Sequence, residues 1–202
     1  MMKKLAVLIL FSILSFSVHS QYRWEFSGGP IFSTLNLDNA ETSSNTGFYL
    51  NAGYGYISGV RAKTSIVFSI EALQRRSEIT GAGEASTFQV GFNPKFRYLM
   101  NTGKSRFRPF INVGPSLRVS ANFKLDDVEL ESDQYEQLII GGVYGVGFSQ
   151  MVGEMFDIFF EAGAMNDFTD NLKDLEGNAI KSKFFDIYAR VGVRFRIYDA
   201  RR

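Results

Sequence analysis

Chemistry in this chain would fall to carboxylates and guanidinium groups. The 202 residues include no Cys and one His, His19. Without Cys there is no disulfide, thiol nucleophile, thiolate metal site or lipid-modified Cys. His19 lies in a leader-like N-terminal stretch, so Ser-His-Asp and Cys-His catalysis are also excluded, with nearly every zinc site. What remains is a set of acids, Glu25, Glu71, Asp157, Glu161 and Asp186. Beside it stands a set of bases, Arg97, Arg108, Arg118, Arg190, Arg194 and Arg196. Asp157 and Glu161 have the residue type for acid/base work. Their spacing points elsewhere: Asp157 with Arg194 and Glu161 with Arg190 share one index sum, which in an antiparallel hairpin places both pairs opposite each other in a single register. The expectation is two cross-strand ion pairs.

Two other stretches look chemical. The run Gly141-Gly142-Val143-Tyr144-Gly145-Val146-Gly147 suggests a nucleotide loop. Gln150 stands where the third glycine would be, and no helix follows. The stretch 167–178 carries Asp167, Asp170, Asn171, Asp174 and Glu176, oxygen ligands of the kind calcium takes. Their spacing matches no calcium loop, and the reading is a solvated loop. No catalytic, cofactor-binding or metal-ligating residue is assigned. Neither enzymatic activity nor a cofactor is expected.

The elements that must position these charges follow from the pattern. Lys3 and Lys4 precede an apolar run over 5–16 that is too short to span a bilayer as a helix, and Val18-His19-Ser20 supplies compact residues before Gln21. This reads as a signal peptide, 1–20, removed after Ser20. Loss of Lys3 and Lys4 leaves 20 bases against 21 acids, a net charge of −1, which argues against nucleic acid as a partner. Residues 21–202 then form one domain.

Within it, apolar residues alternate with polar residues or Gly over eight segments: 22–35, 47–57, 60–75, 86–99, 106–122, 137–150, 156–168 and 182–198. Short turns are expected near 58–59, 101–105 and 151–155, and long polar loops at 36–46, 77–85, 123–135 and 169–181. Alternating short and long connections, with strands of about ten residues or more, is the outer-membrane pattern. The fold class expected is all-β, an eight-stranded antiparallel up-and-down transmembrane barrel in the cell outer membrane.

Period 2 does not say which face looks outward. The apolar rows are almost free of charge, Lys183 being the exception at a strand's loop end. Aromatic residues recur at the turn ends: Trp24, Tyr56, Phe96, Tyr98, Phe107, Phe148, Phe156 and Phe195, as an interfacial girdle would. The polar rows hold both charge signs and many Gly. An eight-stranded barrel has an interior only wide enough for packed side chains, so the charges above form an internal paired network, with Gly on one wall making room for Arg or Tyr from another.

Phe68-Ser-Ile-Glu71-Ala-Leu-Gln-Arg75, Arg108-Pro-Phe-Ile-Asn-Val-Gly-Pro115-Ser-Leu and Ala189-Arg-Val-Gly-Val-Arg-Phe-Arg-Ile197 resemble the PorT-like outer-membrane β-barrel family across the mature chain. The resemblance implies an integral outer-membrane protein; some relatives are linked to protein secretion, and no catalytic residues carry over. The functional expectation is a structural or interaction barrel that works through its external loops. Alternatives are a narrow channel for ions or small solutes, an accessory role in secretion, and a soluble ligand-binding barrel. Expected partners are outer-membrane lipid and a protein at the external loops.

Overall fold

The computed structural model describes residues 20–38, 40–58, 63–101, 105–153, 155–174 and 177–197. The signal-peptide reading, 1–20, falls outside them except for Ser20, which opens the first strand. Among the described residues eight long strands follow one another: β1 (Ser20–Leu37), β2 (Thr42–Ser58), β3 (Thr64–Ile79), β4 (Gly83–Leu99), β5 (Phe107–Leu125), β6 (Leu138–Met151), β7 (Phe156–Asp167) and β8 (Ser182–Ile197). Each pairs antiparallel with its sequence neighbours, and β8 pairs with β1, which closes the barrel. Closure leaves no strand edge along the barrel wall, as the hydrocarbon core of a bilayer demands.

The alternation that makes these segments strands also sorts their faces. On β3, Ile66, Phe68 and Ile70 are exposed while Val67, Ser69, Glu71, Leu73 and Arg75 are buried. Exposed Val90, Phe92 and Phe96 on β4, Ile111, Val113 and Leu117 on β5, and Ile187 and Val191 on β8 continue the apolar exterior. The outward row of β4 runs from Phe88 to Tyr98. At about 3.3 Å per residue and a tilt near 40°, this spans about 25 Å, the height of a barrel's apolar band. Water would be a poor solvent for such a surface.

Two of the four loops expected to be long are short. The β1–β2 connection is 38–41 and the β3–β4 connection 80–82, because the strands continue well past the apolar band. Beyond the hydrocarbon an outward residue no longer has to be apolar. The polar runs 42–46 and 83–86 therefore lose the alternating signature while staying paired, 42–44 with β3, 45–46 with β1 and 83–86 with β3. The 126–137 connection folds back through a two-residue ribbon, Val128–Glu129, onto β5. The 168–181 connection carries its own two-residue pairing of Leu172–Lys173 with Ala179–Ile180.

A bulge in β5 changes what fills the loop end. Phe88 faces Asn122 and Gln89 faces Ser120, so Ala121 is the extra residue. The parity switch turns Phe123 inward, where it packs with Leu35, Ile79, Ala85, Tyr135 and Phe184. Partly buried Leu130 and Leu172, from the two longer connections, lie against the same cluster. The interior at this end is therefore apolar.

Candidate functional site

The interior between the apolar plug and the turn end is charged, and its geometry follows from the inward rows. Arg75 on β3 reaches across to β7 and β8. Its Nη1 and Nη2 donate to the Asp167 carboxylate at 2.8 and 3.1 Å, Nη2 also donates to Asp186, and Nη1 to Gln89 Oε1 at 3.1 Å. Asp167 accepts in addition from Arg118 Nη1 at 2.7 Å and from Asn171 Nδ2 at 2.9 Å. Arg118 Nε donates to Glu71 at 3.0 Å, and Glu71 accepts from the Tyr49 hydroxyl at 2.8 Å.

The next layer centres on Glu161. It accepts from Arg190 Nη2 at 2.7 Å, Asn112 Nδ2 at 2.7 Å and the Tyr188 hydroxyl at 2.8 Å. The Arg190 guanidinium sits 5.5 Å from the Tyr49 ring centroid, which joins this layer to the one above. Asn112 joins it to the one below by accepting from Arg97 Nε at 2.8 Å. Arg97 then grips Glu25 with both terminal nitrogens, at 2.8 and 3.1 Å, and Arg194 Nε adds a third contact at 3.3 Å. Arg23 and Arg194 approach Asp157 at 3.5 and 4.0 Å.

These contacts do two things physically. They match buried charge with buried charge, without which each ion would cost several kcal/mol. They also tie opposite walls together, since β3 and β7 lie across the barrel from each other. Glycine provides the room. A Cβ on Gly91 would come 2.8 Å from Arg118 Cγ, and one on Gly145 would come 2.7 Å from both Glu161 Oε1 and the Tyr188 hydroxyl.

The structure puts Glu25, Glu71, Arg97, Arg118, Asp157, Glu161, Asp186, Arg190 and Arg194 inside the barrel, all buried. The β7–β8 ladder sets Glu161 opposite Arg190 and Asp157 opposite Arg194, the register required by the shared index sum. Arg108 stands half-buried at the turn end, where Nε donates to Ser105 O at 3.1 Å. Arg196 faces Arg23 along the β1–β8 ladder, and its side chain lies outside the described ones.

Sequence reasoning left Arg23, Arg75, Lys95 and Asp167 out of the interior set, although all are buried. The signal was present: Arg75 continues the inward row of Glu71, and Asp167 that of Asp157 and Glu161. By sequence Asp167 and Asn171 read as part of a solvated loop. They point into the barrel because β7 runs to Asp167, and the chain beyond it folds over the mouth.

Of the aromatic set, Trp24, Phe96, Phe107, Phe148 and Phe195 are exposed on the outer surface, and Tyr56, Tyr98 and Phe156 are half-buried there. Neighbouring rings meet at 5.0 Å for Trp24–Tyr54, 5.3 Å for Phe107–Phe148 and 6.5 Å for Phe156–Phe195. Aromatic residues also recur nearer the loop end, where Phe48 and Phe88 pack at 6.2 Å. They are thus spread over the exterior as well as at its turn-end rim. At the loop end Lys181 and Asp38 pair at 2.9 Å. The hydrogen bond with Asp38, and its charge, raise the Lys181 ammonium above the ordinary lysine range.

No family model matches the sequence, and no curated protein matches it. Solved structures do match in fold. Neisserial surface protein A aligns at 16% identity over 86% of this chain and 97% of its own, with a TM-score of 0.54. The outer membrane protein OprG of Pseudomonas aeruginosa aligns at 16% identity over 90% and 98%, with a TM-score of 0.51. At such identities the likeness is one of fold, and the apolar exterior around a polar interior agrees with it. The chain is an eight-stranded outer-membrane β-barrel. The barrel's charged rows face the lumen and its apolar rows face lipid.

Proposed function

We propose that the barrel is a closed scaffold that presents its loop end to a partner outside the cell. The observation that carries this reading is the double seal of the lumen. Ion pairs fill the middle, some between neighbouring strands and some across the lumen, as Arg75 with Asp167, and the apolar cluster around Phe123, Tyr135 and Phe184 fills the loop end. A path for solutes would have to break both. The β1–β2 and β3–β4 hairpins extend beyond the apolar band and, with the 126–137 and 168–181 connections, form a rigid platform suited to binding. In this reading residues 1–20 are a signal peptide, both termini lie on the periplasmic side, and the chain is PorT-like, in keeping with the three strand motifs that suggested that family.

Planar-bilayer recording on refolded protein tests the proposal. The expected result is no sustained current under moderate voltage. Steady unitary conductance would refute the closed scaffold in favour of a narrow channel.

A further inference from the structure

We propose that the turn end of the lumen is a binding site for one small monovalent anion of the halide class. A cavity of about 10 Å³ lies there, lined by Arg23, Glu25, Arg97 and Arg194, with Gly55 and Val67 in its wall. This is about the space that one water-sized guest requires. The charge around it is unbalanced. Among the described residues this layer holds three buried guanidinium groups, Arg23, Arg97 and Arg194, and two buried carboxylates, Glu25 and Asp157. Toward the loop end the buried charges balance, with Arg75, Lys95, Arg118 and Arg190 against Glu71, Glu161, Asp167 and Asp186. Among the described residues the positive excess is local to the cavity.

A donor is free there as well. Arg194 is 1% exposed, and its Nη2 is buried without a hydrogen-bond partner. Glu25 cannot readily serve it, being already held by both terminal nitrogens of Arg97 and by Arg194 Nε. Three guanidinium groups here share two carboxylates, and excess positive charge in a buried layer is costly. A spherical anion supplies the missing charge and can accept from several N–H groups at once. The site needs no conduction path, so it does not depend on the closed-scaffold reading. A barrel that conducts nothing could still hold the ion.

The test uses refolded barrel in non-ionic detergent and follows the bromide NMR linewidth. Binding should broaden the resonance in a saturable way, and added chloride should reverse the effect. Gly55→Val fills the cavity without altering a charge. The added Cβ meets only Val67 Cγ2 at 3.6 Å and Arg23 O at 3.7 Å, both ordinary contacts. The variant should keep the heat-modifiable mobility of a folded barrel while losing the excess broadening several-fold. Crystals grown in bromide should show an anomalous peak between the guanidinium groups; this measurement on the unmodified protein decides the matter even if the variant folds poorly. Broadening that is absent, or unchanged in Gly55→Val, overturns the proposal, as does a cavity holding only water.

Discussion

Arg75 is the most heavily committed cation in the lumen, and its replacement by Met gives the clearest test of the cross-wall network. The side chain is fully buried and donates four hydrogen bonds, three of them to the carboxylates of Asp167 and Asp186. Hydrogen bonds to charged groups contribute about 1.5–3 kcal/mol each. The net loss is smaller than their sum, because Met has no charge to desolvate and Asp167 keeps Arg118 at 2.7 Å. Asp186 is the group left without its cation. Breaking a buried pair by removing one partner costs about 3–5 kcal/mol, and Arg75→Met should fall in that range.

The chain carries its own probe for this measurement. Trp24 is the only tryptophan, and it stands on the lipid-facing surface. Its fluorescence therefore reports unfolding from vesicles in denaturant. Adding Asp186→Asn to Arg75→Met should recover about half of the loss, since the orphaned carboxylate is then neutral, and the double-mutant cycle should show coupling above about 1 kcal/mol. A loss below about 1 kcal/mol for Arg75→Met, or a second substitution that makes matters worse by its full separate cost, would refute the argument that these ions brace opposite walls.

Three further outcomes are expected. Ile70→Arg, at a lipid-facing position 62% exposed, should cost about 2–4 kcal/mol in vesicle unfolding, while Glu78→Arg beyond the apolar band should cost about 1 kcal/mol or less. Gly91→Val should displace Arg118 and Glu71 from each other, because its Cβ meets both side chains at 2.8 and 3.0 Å; the mobility difference between boiled and unboiled protein should shrink or vanish. Intact mass of protein isolated from outer membranes should correspond to a chain beginning at Gln21, and retention of residues 1–20 would contradict the cleavage reading.

The barrel was legible because two demands coincide along every strand: lipid requires one face to be apolar, and a narrow lumen requires the other to be polar or small. Rows such as Phe88 to Tyr98 and Phe185 to Phe195 carry both, and the eight segments stand out. Where one demand lapses, so does the signal. Residues 42–46 and 83–85 lie beyond the hydrocarbon and read as loop, although they are strand. The bulge at Ala121 was invisible for a related reason: Phe123 is apolar on either parity, so nothing in its type reveals that it turns inward. The pair Glu161–Arg190 could be read from register arithmetic within one hairpin. Arg75 with Asp167 could not, because the contact crosses the barrel between strands that are not neighbours, and no local spacing encodes it.

That distinction bears on what the protein can do. Ion pairs between neighbouring strands hold a ladder that backbone hydrogen bonds already hold. Pairs across the lumen act where no backbone bond exists, and they fix the distance between walls. Separating Arg75 from its two carboxylates without replacement partners carries the same cost of about 3–5 kcal/mol, which keeps an opened lumen to about one percent of molecules or fewer. Moving the plug of Leu35, Phe123 and Phe184 adds to that barrier. A ligand could shift the balance only by binding the opened form more tightly by a matching amount, on the order of a few hundredfold or more. A rigid wall of this kind suits a surface better than a valve. In the proposed scaffold it would hold the described parts of the β1–β2 and β3–β4 hairpin ends and of the 126–137 and 168–181 connections in a fixed arrangement, so a partner would not have to order them on binding.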